Sequence, residues 1–373
     1  MPGLLRHISI RAGAGRGRLA VLGAAMLLAA CATTPPSPVV PDVPGVPEQP
    51  RPAAAPVPVL PPISPVEQDI LRGWVVQQDR LYRVAAPLLV NNPDLCKGNA
   101  RNLLGFTAKN RYSYSADFAD AAQKMFNLEE RLQVMDVLPG SGAAKSGVRR
   151  GDVLLSANDK PLPEGPNAER AAATVLGPLV SKRGDVKLNV LRGGRPMLLS
   201  VPLTNACGFG IELGNTDGVA AYSDGRRLLV TRGMMVYAAS DQQLAYVLAR
   251  EMAHNALGHP QKERMTAAAG SVIDNLIRMR PDPAGLSGMG GIKPMPAALD
   301  TAADTLALYM VARGGYDPAG ALEFWRRLAQ QYPASVANAY TALHPATAAR
   351  LAIIEKTVTA ISQKQAAKRP LSP

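Results

Sequence analysis

Along residues 66–90, apolar side chains recur at helical spacing: Ile70, Leu71, Trp74, Val75, Leu81, Val84 and Leu88. That period predicts a helix with one buried face. Between 132 and 205 the period shortens to that of strands. "LQVMDV" and Val153–Ala157 read as two strands, separated by a turn at Pro139-Gly140-Ser141-Gly142 and a short helix ending at Gly147. "ERAAATVLGPLV" returns to a helix, and "VKLNVLRGGRPMLLSVPL" alternates on either side of Gly193-Gly194 as a hairpin does. Ala220–Tyr222 and Leu228–Thr231 predict a second hairpin through Ser223-Asp224-Gly225. Ser240, with Gln243 three residues on, forms a capping box for a helix from Asp241 to about Leu257, where Gly258 supplies the stop. "NNPDLCKGNARNLLGF" (91–106) has no period and reads as irregular.

The first 65 residues follow neither pattern. Arg6, Arg11, Arg16 and Arg18 precede the uncharged run Leu19–Ala30. That run is too short for a bilayer span of ~20 residues but suits a secretory signal. It ends in Leu28-Ala29-Ala30-Cys31, which resembles the bacterial lipobox and implies a lipid on Cys31; the alternative is an ordinary signal peptide with an incidental cysteine. By the same resemblance, Ala32 in place of Asp implies the outer membrane, with the chain on its periplasmic face. Pro35–Pro65 holds 13 prolines in 31 residues, a semi-rigid tether extending ~3.1 Å per residue.

Removing the four signal arginines from 41 basic residues leaves 37 against 29 acidic ones. They are scattered, with no block of five like charges, so the sequence carries no nucleic-acid footprint. Three cysteines less Cys31 leave Cys96 and Cys207, an even pair in an oxidising compartment. A disulfide closing so long a loop contributes ~2–4 kcal/mol; two buried thiols are the alternative.

The order of strand, Pro-Gly turn, short helix and Arg150-Gly151-Asp152 resembles a PDZ domain of the bacterial protease-associated type. Such domains add an extended peptide to a sheet edge and hold its carboxylate in a backbone nest. The glycine-bearing loop for that nest is expected just before the first strand. Here "KMFNLEERLQV" has no glycine and carries Glu129 and Glu130. A peptide-presenting module and a closed structural insert both remain open.

"LAREMAHNALGH" (248–259) resembles the metal-binding helix of a zinc peptidase. In H-E-x-x-H, histidines at i and i+4 share a helix face and meet on one ion, while the Glu acts as general base. Here those positions hold Arg250, Glu251 and His254. With "LDTAADTLALYMVARGGYDP", "GGYDPAGALEFWRRLAQ" and "LHPATAARLAIIEK", the run from 207 to roughly 365 resembles peptidase family M48, typified by the CAAX prenyl protease and its bacterial periplasmic lipoprotein relatives. The resemblance implies zinc, a third ligand at Asp300 where the family has Glu, a second acidic position at Asp304, and a His344-Pro345 loop near the metal.

A guanidinium has no lone pair to give a metal and stays charged. Two readings follow. In one, Arg250 replaces zinc as the cation pairing with Asp300 or Asp304, and the chain is a pseudoprotease acting in quality control of envelope proteins. In the other, His254, Asp300 and His344 hold zinc with Glu251 as base; His259, off the helix face, is a weaker ligand. A PDZ-based adaptor for unfolded or extended polypeptides is the further alternative. "DPAGLSGMGGIKPMPAALD" (282–300) reads as a loop over the cleft, a lid or a crossing with Met contacts for unfolded chains.

The expected class is α+β: a mainly helical zincin-like domain with a small β-hairpin and an inserted β-rich PDZ-like domain. The expected parts are a signal (1–30), lipidated Cys31 and tether (31–65), a helical segment packing on the peptidase part (66–125), the PDZ-like domain (126–205), the metallopeptidase-like domain (206–365) and a disordered tail (366–373). Oligomeric state leaves no mark in the sequence.

Overall fold

The computed structural model describes residues 64–182, 184–284, 291–333 and 340–373. The signal, Cys31 and the tether up to residue 63 lie outside the described residues. Ser64 opens α1 (Pro65–Val90) with a reciprocal capping box to Glu67, and the predicted apolar face buries Leu71, Trp74, Val75, Leu81, Val84 and Leu88. Ile70, predicted on that face, is exposed. Segment 91–106 is more regular than its sequence suggests. It contains β1 (Ala100–Leu103) and leads into β2 (Phe106–Lys109).

Then come α2 (Ala116–Phe126), β3 (Gln133–Val137), α3 (Gly142–Lys145), β4 (Val153–Ala157), β5 (Lys160–Pro161), α4 (Ala168–Val180), β6 (Val186–Arg192), β7 (Arg195–Val201) and β8 (Thr204–Cys207). The PDZ-like sheet has six strands, in the order β2-β3-β4-β6-β7 with β5 on β4. Its outer strand β2 comes from the segment expected to be helical. Leu132, Val134, Leu154, Leu188 and Val190 from the sheet and Ala172 and Leu179 from α4 form its core. β6 and β7 turn through Gly193 and Gly194, both at positive φ, as predicted.

β1 pairs with β8, with Ala100 opposite Cys207, and Cys207 is disulfide-bonded to Cys96. The expected pairing therefore joins the entry and exit of the PDZ-like region.

The remaining chain forms β9 (Gly210–Gly214), β10 (Ala221–Ser223), β11 (Arg227–Thr231), α5 (Arg232–Tyr237), α6 (Asp241–Ala256), α7 (His259–Lys262), α8 (Thr266–Leu276), α9 (Ala297–Arg313), α10 (Ala321–Gln331), α11 (Tyr340–Leu343) and α12 (Ala348–Ala366). The predicted hairpin β10–β11 gains β9 as a parallel third strand. α6 is buried along nearly its whole length, against α9, α1 and this sheet. The tail expected to be disordered folds back instead: Arg369 donates its backbone N–H to Lys364 (2.8 Å), and Leu371 packs on the main core. Among the described residues, no helix is long and apolar enough to cross a membrane.

Candidate functional site

α6 starts where predicted, with the Ser240 hydroxyl accepting from Gln243 N–H, and ends at Gly258 in the left-handed conformation. Arg250, Glu251 and His254 lie on its buried length; α9 brings Asp300 and Asp304 alongside, and the loop after α11 brings His344.

Arg250 is fully buried and every arm of its guanidinium is engaged. Nε donates to Asp304 (2.8 Å), Nη2 to Asp300 (2.6 Å) and Nη1 to the Tyr340 hydroxyl (2.7 Å). The pairing expected with one aspartate is a bridge between both. Trp325 and Tyr340 stack at 5.4 Å, and the guanidinium carbon lies 5.4 Å and 5.5 Å from their ring centres. Burial opposes the charge of Arg250, but Tyr340, Asp304, Asp300 and Glu251 outweigh it and raise its pKa further.

Arg350 completes the network. It donates to Asp304 from Nε (2.7 Å) and to the carbonyls of His344 (2.7 Å) and Pro345 (2.9 Å). Asp304 thus lies between two arginines, and the His-Pro loop is held by one of them. Burial pushes the carboxyl of Asp300 up, but His344 and Arg250 hold it well below the ordinary range.

His254, Asp300 and His344 do come together: one donor atom from each lies within 4.8 Å of the others. His344 Nδ1 is 2.8 Å from Asp300 Oδ1, the oxygen Arg250 also uses. His254 Nε2, 3.4 Å from Asp300 Oδ1, and Asp300 Oδ2 are buried without a hydrogen-bond partner. Burial lowers the pKa of His254 and of His344 to about 4, so both imidazoles are neutral at pH 7. His259 stands outside the triad. Its Nδ1 is 3.0 Å from His254 Nδ1, where it orients that ring.

Glu251 is 1% exposed and accepts from the Tyr340 hydroxyl (3.1 Å). The hollow beside it, lined by Tyr222, Met295 and His344, measures about 30 Å³, room for water and not for a peptide. Met295 donates its backbone N–H to Leu343 (2.7 Å) and so is tied to the wall of this hollow. Of the predicted lid, 285–290 lie outside the described residues, and 297–300 already belong to α9.

Zinc does not fit the residues as arranged. Two fixed cations, Arg250 and Arg350, already face three carboxylates, Glu251, Asp300 and Asp304. A dication beside Asp300 would meet the buried guanidinium with no water to screen it. Sequence reasoning missed Tyr340, Trp325 and Arg350. Arg350 left a signal: it shares the buried stripe of α12 with Ile354 and Ile361, a charge where an apolar residue belongs.

Residues 212–358 match the model of peptidase family M48. This region belongs to that family. The chain is 28% identical over 138 residues to the mitochondrial metalloendopeptidase OMA1 of Schizosaccharomyces pombe, covering 35% of this chain and 41% of that one. It is 39% identical over 105 residues to the periplasmic pH-dependent serine endoprotease DegQ of Escherichia coli, covering 28% of this chain and 20% of that one. A solved structure of the HtrA3 PDZ domain bound to a phage-derived ligand matches 28% of this chain and 88% of its own length, at 19% identity and a TM-score of 0.22. The chain thus spans well under half the length of these two curated relatives. The region matched to family M48 contains α6 with Arg250, Glu251 and His254, and α9 with Asp300 and Asp304.

The other opening lies between β2 and α4. Gly105, at φ 94°, turns the chain into β2, and a Cβ there would come within 2.2 Å of Ser141. The glycine-bearing turn expected before β3 therefore precedes β2. Glu129 and Glu130 instead bond Gln123 (3.0 Å) and Tyr112 (2.8 Å).

Proposed function

We propose that the M48 domain is a pseudoprotease and that the protein holds extended polypeptides at the β2–α4 groove while anchored to the periplasmic face of the bacterial outer membrane. One observation carries the first part: Arg250, 0% exposed, bridges Asp300 and Asp304 where a metal would otherwise join the two helices. A guanidinium supplies the positive charge that holds these carboxylates but has no empty orbital to acidify water. The second part rests on the open edge of β2 beside α4, a geometry suited to strand addition. The anchoring rests on Leu28-Ala29-Ala30-Cys31. Fatty-acid labelling in cells should mark the protein and fail for Cys31→Ser; equal labelling of both would remove the lipobox reading.

Protein purified without chelator should hold no stoichiometric zinc and leave unfolded casein intact. Arg250→His combined with Asp300→Glu should take up zinc, because it restores a lone pair and withdraws a fixed cation. A metal-free double variant would mean that the cleft has diverged beyond these two side chains. The orphaned His254 Nε2 and Asp300 Oδ2 favour a second reading, an active centre of His254, Asp300 and His344 with Glu251 as base. That reading requires Arg250 to release Asp300. About one zinc per chain, with casein cleavage lost in Glu251→Gln, would establish it instead.

A further inference from the structure

β2 is the outer strand of the six-stranded sheet, and β9 the outer strand of the three-stranded one. Between them lie two hollows of about 740 Å³ and about 470 Å³, which share Tyr82, Thr107 and Glu212 in their walls and so form one trough. Gly210 donates to Arg226 on the β11 side, so strand alternation turns the peptide groups of Ile211 and Leu213 away from β11.

The smaller hollow is apolar, walled by Leu103, Phe106, Leu176, Val180 and Ile211, and Glu212 is its one charged residue among those described. Glu212 is half-buried; its backbone pairs with β11, but its carboxylate makes no hydrogen bond or ion pair among the described residues. The cations that act on it are engaged elsewhere: Lys109 with Glu169 (3.8 Å), and Arg227 with Asp224 (2.9 Å) and Asp274 (2.7 Å). Burial raises the pKa of Glu212, and the attraction of Lys109 and Arg227 offsets that only in part. Beside it, the hydroxyls of Thr107 and of Tyr114, a residue 8% exposed, are buried without a partner in the wall of the larger hollow. Buried polar groups are ordinarily paired. Two buried unpaired hydroxyls and the half-buried carboxylate of Glu212 in one trough mark where a ligand's polar atoms belong.

We propose that this trough takes an extended polypeptide carrying an apolar side chain for the smaller hollow and, close by, a lysine or arginine whose cation pairs with Glu212. The proposal rests on the reading of the β2–α4 groove as a polypeptide site. It adds that the M48 domain, through β9, builds the far wall and sets the charge preference.

The test uses two fluorescein-labelled nonapeptides with blocked ends. Both alternate valine and serine, one with a central lysine and the other with a central glutamine, and both are titrated by anisotropy against the full chain in detergent. The lysine peptide should bind at least about tenfold more tightly, the scale of a charge-assisted bond in a partly desolvated site. Glu212→Gln should erase the difference between the two peptides, and Val180→Arg should abolish binding of both. Equal affinities in the unaltered protein, or a lysine preference that survives Glu212→Gln, would overturn the cation site while the groove stands. Binding of neither peptide would overturn the groove, and the cation site with it.

Discussion

Around Arg250 most charged atoms find an opposite one, whereas in the trough between β2 and β9 the carboxylate of Glu212 and the hydroxyls of Tyr114 and Thr107 have no hydrogen-bond partner among the described residues. Both regions remove polar groups from water. In the first, Arg250, Arg350, Asp300 and Asp304 pair with one another, leaving Asp300 Oδ2 and His254 Nε2 without a partner, and the hollow beside Glu251 measures about 30 Å³. In the second, two buried hydroxyls have no partner and the Glu212 carboxylate is offset only in part, across a trough many times larger. A group that is buried and satisfied holds the fold; one that is buried and unsatisfied, beside open space, waits for a ligand.

The largest test of this contrast is Arg250→Met. Removing one side of a buried charge network leaves Asp300 without its cation and Asp304 with Arg350 alone, at ~3–5 kcal/mol. Glu212→Gln, which removes an unpaired charge, should stay within about 0.5 kcal/mol in the same denaturant titration. Similar losses in both variants would erase the distinction. Next in size is the disulfide joining the two ends of the PDZ-like region. Cys96→Ser with Cys207→Ser should lose ~2–4 kcal/mol, and unchanged unfolding midpoints would show that β1–β8 pairing alone suffices.

A smaller and graded effect follows from pH. Burial holds His254 and His344 at about 4, below the ~6.5 of an unfolded histidine. The unfolded chain then binds protons that the folded chain refuses. Stability is full above pH ~6.5 and falls toward pH 4, at most by roughly 2–3 kcal/mol per unit for two groups. Asp300 and Asp304, held low by the arginines, weaken only at still lower pH. A flat stability curve between pH 6.5 and 4.5 would mean that these imidazoles are not buried neutral.

Local periodicity made the helices legible. α1 and α6 begin and end within about a residue of their predicted bounds because capping residues and the apolar stripe lie within the segment itself. β1 and β2 were not legible. Four residues show no usable period, and what makes them strands is pairing with β8 and β3, far along the chain. For the same reason the PDZ-like turn was sought before β3 and stands before β2. At the site, the acids and histidines were named from their motif. Tyr340 and Trp325 carry no such mark, since aromatic residues serve any core, and only their stacking against Arg250 reveals a role.

By itself, the sequence determined that residue 250 is permanently charged and unable to ligate a metal, because this follows from the chemistry of one side chain. Tertiary structure alone decided what the charge is for. Whether the guanidinium turns to water or clasps Asp300 and Asp304 depends on how α6 meets α9, and a contact across 50 or more residues leaves no local trace. The trough is likewise a product of assembly, since neither β2 nor β9 makes it alone.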